Sequence, residues 1–336
     1  MVHRAKNHFW SNRIANIRCL AEFFISNGPN ALVIKMEIVS IQDELRKNPQ
    51  LKQEDIDHLK EWVKGEEDLP EIPEIQLALF LCSCEYCMET TKNTIKCNFL
   101  WRMEQPDYFL NRNQNADPLL VHSMERVSFV ILPKRTSQNE MILVSRIISK
   151  ETKNFFFPTT IKSFFMHADM YSLQHGSCNG LIILYDCAPV TFAHARKVNL
   201  PSVKQLFFFL QEAISIKVSA IHFLNSHPIF DWLFSLFRPF IKQDLTSKLF
   251  FHKAGADTIF THLPPALVPK LFNGEESSSL TTLHEKSKEM IRLFEPWFEE
   301  EEKALLQKMP SIDAKKRAEE YDELELPSSF KQLEFD

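Results

Sequence analysis

The chain has 336 residues, 44% hydrophobic and 25% charged, with a formal net charge of −5. Those totals exclude a disordered or collagen-like chain, give no basic footprint for nucleic acid, and leave room for two domains around a full core. No run reaches the ~20 apolar residues of a membrane span, and seven cysteines without even pairing predict free thiols in a reducing compartment.

The first 21 residues hold Arg4, Lys6, Arg13 and Arg18 but no acid. A leader-type segment and a plain appended segment both fit this pattern, and no apolar core there is long enough for a secretory signal. Residues 1–35 are therefore set apart as a disordered or appended segment. From Met36 to about Asp107 the pattern is helical. Asn48-Pro49 interrupts it, and residues 53–64 place Ile56, Leu59, Trp62 and Val63 on one face. Pro70 and Pro73 mark a loop, and residues 74–86 and 89–103 read as two further helices. Residues 36–107 thus form a small helical module.

The rhythm changes after Pro106. Residues 127–132 and 141–147 read as strands joined by the polar turn 134–139, and residues 158–170 as a helix. Gly180 leads into LIILYD, residues 181–186, an apolar run closed by a charge, as expected of a strand buried on both faces. Pro201-Ser202 opens a helix through Ala213, residues 218–224 form another central strand, residues 229–245 a helix, and residues 248–252 a short strand. Alternating strands and helices predict an α/β domain with a mixed, largely parallel sheet over residues 115–275. Residues 276–336 are polar. Residues 284–307 read as one charged helix whose acid run, residues 299–302, is expected to face solvent.

The stretch HPIFDWLFSLFRPFI, residues 227–241, stands out. Its polar residues Asp231, Ser235, Arg238 and Lys242 fall on one narrow helical stripe, and apolar side chains cover the rest. An ordinary surface helix shows the reverse. The helix is either a core helix buried on most sides or the cover of an apolar pocket. Pro239 removes one backbone hydrogen bond and offers a place to flex. The excess of Phe, 29 against 5 Tyr and 5 Trp, suits a dry interior or cavity, since Phe needs no hydrogen-bond partner.

Little in the sequence points to chemistry. CSCEYC, residues 82–87, lacks the paired spacing of a zinc site, and Cys82 and Cys84 on one helix would point apart. GSCNG, residues 176–180, mimics a nucleophile elbow around Cys178, but the strand follows it instead of preceding it. His222 reads as a core histidine, and His167 as a polar contact on a helix facing the sheet. No metal site, cofactor loop or catalytic set is expected.

The segment KVSAIHFLNSHPIFDWLFSLFRPFIKQDLTSKLFFH, residues 217–252, resembles the CRAL-TRIO (Sec14-like) lipid-binding family, in the order strand, Asn, Pro-bearing gate helix, basic segment, strand. LPPALVPKLFNG, residues 263–274, is similar to the family's closing motif, with Lys270 for its acid and Asn273 for its first glycine. GLIILYD matches the central strand, and DIDHLKEWVK with the helices to Met103 resembles the preceding helical module. The resemblance is greatest to the tocopherol-transfer and retinaldehyde-binding branch, insect members included. It implies a non-enzymatic cytoplasmic carrier that holds one hydrophobic molecule behind a mobile gate helix, touches membranes transiently and acts as a monomer. It places Leu181, Tyr185, Leu206, Phe209, Leu210, Ile214 and Ile221 in the pocket, with Phe164 and His167 beside them. Phe230, Leu233, Phe234 and Phe237 fall on the gate. Lys217 and Lys248 match positions of the branch's phosphoinositide cleft, and Lys242 is near. Asp244 and Cys82 stand where the family has a lysine and an arginine, so only loose attraction to anionic lipid is expected. The competing reading is a lipid-responsive interaction module without transfer activity.

Overall fold

The computed structural model describes residues 36–113, 117–153 and 155–309, together with the backbone of residues 22–25 and 32–35. Within the leading segment β1 (Glu22–Ile25) and β2 (Leu32–Lys35) pair antiparallel. The remainder of residues 1–35, and the tail from residue 310, lie outside the described residues.

The helical module comprises α1 (Ile41–Lys47), α2 (Gln53–Gly65), α3 (Glu74–Ser83), α4 (Met88–Glu104) and α5 (Pro106–Phe109). Ser40 caps α1 by accepting from the Asp43 amide at 3.0 Å. Ile56, Leu59 and Val63 form the buried stripe of α2, and α3 is apolar almost all round because it is buried on most sides. Helix α3 stops at Ser83, short of the expected 86, because Glu85 and Tyr86 adopt left-handed φ of 52° and 61°.

Helix α6 (Pro118–Arg126) leads into a five-stranded sheet, β3 (Val127–Ile131), β4 (Glu140–Ile147), β5 (Gly180–Asp186), β6 (Val218–Ser226) and β7 (Leu249–Lys253), in spatial order 3-4-5-6-7. β3 pairs antiparallel with β4, and the other pairs are parallel. The crossovers carry α7 (Phe157–His175), α8 (Phe192–Ala195), α9 (Leu200–Phe208), α10 (Ile229–Phe237) and α11 (Gln243–Thr246). The α/β fold with a mixed, largely parallel sheet is as the alternation of elements predicts.

Strand parity divides the sheet into two faces. Ile182, Leu184 and Leu224 pack with Ile259, Leu263, Val268 and Phe272 of the irregular segment after β7. Ile183, Ile221 and their neighbours face the helices, in one core shared with the helical module. Gly274 closes the irregular segment where a Cβ would sit 1.9 Å from the Val268 carbonyl oxygen. Asn273 takes the left-handed turn before it, φ 63°, a conformation asparagine tolerates better than most residues.

Two helices are broken where one was expected. The apolar helix ends at Phe237, and a 3₁₀ turn, Arg238–Phe240, follows, so residues 229–245 are not one helix. Pro239 lacks the donor and its ring crowds the preceding turn. The charged C-terminal segment likewise divides at Phe294 into α12 (Leu280–Leu293) and α13 (Glu295–Lys308). Glu301 is not solvated as the acid run suggested. It is 3% exposed and lies 2.7 Å from Arg112 and 3.2 Å from Arg102. Asp169 completes the cluster, 2.6 Å from Arg102.

Buried histidines set a pH limit on this core. Burial holds His167 and His175 down at about 4 and His222 at about 3, and His252 and His262 beside His222 push it the same way. An unfolded chain takes up these protons near pH ~6.5 whereas the native chain does not. Stability is therefore full above that pH and falls as pH drops toward the native values. Each histidine adds a slope of about 1.4 kcal/mol per pH unit. Urea midpoints should hold steady from pH ~8 to ~7 and fall steeply by pH ~5. A midpoint unchanged at pH ~5 would show that these side chains are not buried in neutral form.

Candidate functional site

The parallel strands end beneath α10, and a cavity of about 200 Å³ opens there, walled almost entirely by apolar side chains. Register builds its floor. Ser145, Tyr185 and Phe223 are paired across β4, β5 and β6, and Ile183 pairs with Ile221 one layer below. Val127, Phe129 and Ile147 extend the floor, and Phe157, Thr160, Ile161 and Phe164 project from one stripe of α7. Val203, Leu206, Phe207 and Leu210 form the wall from α9 and the turn after it. A crevice at the carboxyl ends of parallel strands is where α/β sheets generally place ligands.

Helix α10 roofs the cavity. Phe230 and Leu233 are buried against it, and Phe234 and Phe237 are half-buried on its rim. Phe234 packs edge-on against Phe223 at 4.7 Å and Phe251 at 4.6 Å. Asp231, Ser235 and Arg238 face solvent, as does Trp232, which is 43% exposed.

Among the described residues, polar bonds to the rest of the fold hold the cover only at its ends. At the leading end Asn225, φ 56°, donates to Asp186 at 3.0 Å, and the His227 ring lies 3.3 Å from the Val190 carbonyl. At the far end the Gln211 amide donates to the Phe240 carbonyl at 3.1 Å and accepts from the Lys242 amide at 2.6 Å. Gln211 reaches both because residues Phe209–Ala213 wind as a π-turn.

Five of the nine side chains expected in the pocket, Phe164, Tyr185, Leu206, Leu210 and Ile221, lie on the wall, as do all four gate residues. The others lie elsewhere. Leu181 shares the face of Ile183 but sits at the amino end of β5, beside Val218, away from the cavity. Phe209 turns toward the helical module, against Phe165 at 4.5 Å and Trp101 at 5.5 Å. Ile214 follows the π-turn into a separate cleft. His167 is one turn beyond Phe164, packed on Phe129 at 5.4 Å with Nδ1 2.6 Å from the Ser163 carbonyl.

Few polar groups meet the cavity. The Thr160 hydroxyl donates to the Phe156 carbonyl at 3.1 Å, and His194 Nδ1 bonds to Thr191 Oγ1 at 2.8 Å. The Tyr185 hydroxyl makes no hydrogen bond among the described residues, and burial raises its pKa, so it is a neutral donor. The floor residues of β3 and β4 escaped the sequence reading. The clue available was alternation, since Ser145 and Ile147 share the parity that faces the helices.

Lys217, Lys242 and Lys248 converge on the cleft that holds Ile214, about 510 Å³ in volume. Each meets a carboxylate: Lys217 with Glu85, Lys242 with Glu212, and Lys248 with Asp244 at 2.7 Å. Three positive and three negative charges cancel. Among the described residues no group of three or more His, Cys, Asp or Glu could hold a metal ion. No described helix is long and apolar enough to cross a membrane. Cys178 donates to the Gly180 carbonyl at 3.3 Å, and burial raises its pKa, which makes it a poor nucleophile.

A mixed sheet with an apolar cavity at its carboxyl end, roofed by one greasy helix, is an arrangement that can hold a hydrophobic molecule. Residues 125–274 of the chain match the CRAL/TRIO domain model, and residues 48–119 match the model of the Pinta-like UBA domain. The chain is 21% identical over 244 residues to alpha-tocopherol transfer protein-like of Mus musculus, covering 70% of this chain and 69% of that protein. Clavesin-2 of Rattus norvegicus is 25% identical over 96 residues, 29% of each chain. The crystal structure of Sfh5 aligns with a TM-score of 0.40 at 12% identity, over 70% of this chain and 91% of that one.

Proposed function

We propose that this protein is an intracellular carrier of one hydrophobic small molecule, taken up beneath α10 and handed over at membranes. The observation that carries the reading is the apolar cavity, whose covering helix presents Phe230, Leu233, Phe234 and Phe237 to it. Filling it removes apolar surface from water at ~25 cal/mol per Å². The free Tyr185 hydroxyl, with Ser145 beside it in register, suits a guest carrying one hydrogen-bond acceptor on a hydrocarbon body, such as a tocopherol-, retinoid-, sterol- or phospholipid-like molecule. The name of the mouse relative supports transfer as the activity. Exposed Trp232 and Phe192 give the cover an apolar outer edge for transient contact with a bilayer. The carrier works as a monomer in the cytoplasm, with residues 36–107 as a helical module, residues 115–275 as the lipid domain and residues 276–336 as a charged C-terminal segment that carries α12 and α13. The reading assigns no covalent step and no cofactor.

The test is transfer of a fluorescent sterol or tocopherol analogue from donor to acceptor vesicles. Transfer should be saturable in vesicles and proportional to protein. Gln211→Leu removes two bonds of about 1 kcal/mol each from the latch, so release should quicken roughly tenfold or more with affinity for the closed state weakened. A protein that leaves the analogue in the donor vesicles would refute carriage.

A further inference from the structure

The turn between α3 and α4 brings together two thiols that the lipid site does not use. Cys84 follows the last residue of α3, and Cys87 is the N-cap of the 17-residue α4. Glu85 and Tyr86 between them are both left-handed, and the Cys87 amide donates to the Cys84 carbonyl at 3.0 Å. A four-residue turn closed in this way holds its end Cα atoms within about 7 Å, which overlaps the roughly 4.4–6.8 Å span of a disulfide. The two sulfurs also share a face. Thr90 donates to Cys87 Sγ at 3.2 Å, and Cys84 Sγ donates to Thr94 at 3.5 Å. Thr90 and Thr94 are one turn apart on α4, so the sulfurs lie side by side along that helix. Both open onto the cleft that also holds Thr90 and Thr94, and Cys87 is exposed.

We propose that Cys84 and Cys87 are a reversible dithiol–disulfide pair that exchanges with small disulfides such as oxidised glutathione. Cys87 is the attacking sulfur. It lies at a helix N-terminus, where positive charge favours thiolate. The hydroxyl of Thr90 lowers its pKa, a nearby backbone bond adds to this, and Glu89 opposes it. Cys82, two residues before the turn, is in the opposite state: burial pushes its thiol up to about 11 and keeps it inert.

The steps balance. The Cys87 thiolate attacks one sulfur of oxidised glutathione, the glutathione S–S bond breaks, and one glutathione thiolate leaves. Cys84 gives its proton to solvent, its thiolate attacks the Cys87 sulfur, and the second glutathione thiolate leaves. Two protein thiols are oxidised and one glutathione disulfide becomes two glutathione molecules. Closure pulls Cys84 Sγ away from Thr94 and ties α3 to α4 beside the Glu85–Lys217 ion pair.

The full chain, equilibrated with excess oxidised glutathione and then alkylated, tests this by peptide mass spectrometry. The expected product is a Cys84–Cys87 disulfide that dithiothreitol reverses, with Cys87 in the reduced protein alkylated at least tenfold faster than buried Cys187. Cys84→Ser should leave a stable glutathione adduct on Cys87, and Cys87→Ser should leave Cys84 an unmodified thiol. Retention of both thiols in wild type would overturn the proposal, and so would bridging of Cys87 to any other cysteine.

Discussion

Replacing Arg102 with alanine should lower the melting temperature by about 5 °C. Arg102, Arg112, Asp169 and Glu301 form a charge-balanced cluster, all under 10% exposed. Arg102 donates to Asp169 at 2.6 and 2.8 Å, to Glu301 at 3.2 and 3.4 Å, and through Nε to Asn98 at 2.7 Å. Asn98 in turn donates to the Ala213 carbonyl at 2.6 Å, at the end of the π-turn. Removing the guanidinium leaves two buried carboxylates facing Arg112 alone. Breaking a buried pair in this way costs about 3–5 kcal/mol, and each kcal/mol is worth about 1–2 °C in a chain of this size. The cluster joins α4, α7 and α13, so the loss should appear as one cooperative shift in calorimetry. A melting temperature within a degree or so of wild type would mean that these charges contribute nothing net to the fold.

The second large effect belongs to the cavity. Leu206→Trp places a larger ring into the space between α9 and the gate, where Leu206 already lines the wall. The fold should survive, because overpacking of about 1–3 kcal/mol is relieved by a void of about 200 Å³. Guest binding should fall by ~100-fold or more, since the ring competes for the same apolar contacts. Equilibrium titration with a fluorescent lipid analogue, alongside thermal melting, separates the two outcomes. Normal binding with a normal melt would place the guest elsewhere.

Periodicity in the chain was enough to foresee much of this architecture. LIILYD is a central strand because it must be buried on both faces, and it pairs with β4 on one side and β6 on the other. The narrow polar stripe on residues 229–237 marked a helix with something apolar beneath it. What periodicity could not give was depth along a strand or phase after an irregular turn. Leu181 and Ile183 have the same parity, and only the position of the roof separates them. Phe209 and Leu210 are neighbours on a helix wedged between cavity and helical module, so one faces each. Glu301 was hidden for a different reason. Its two arginine partners are 199 and 189 residues away in sequence, and an acid run looks solvated until those partners are known. The lysines show the reverse case. Their convergence could be foreseen, but the pairing of Lys217 with Glu85 and Lys242 with Glu212 comes only from the tertiary fold.

The most direct measurement is mass spectrometry of organic extracts from the purified full-length protein, before and after incubation with a mixture of sterols, tocopherols, retinoids and phospholipids. The account predicts one class of hydrophobic molecule recovered at about one per chain, displaced by excess competitor and absent from Leu206→Trp. Protein that stays empty through every incubation, or that yields the same mixed lipids as Leu206→Trp, would contradict it.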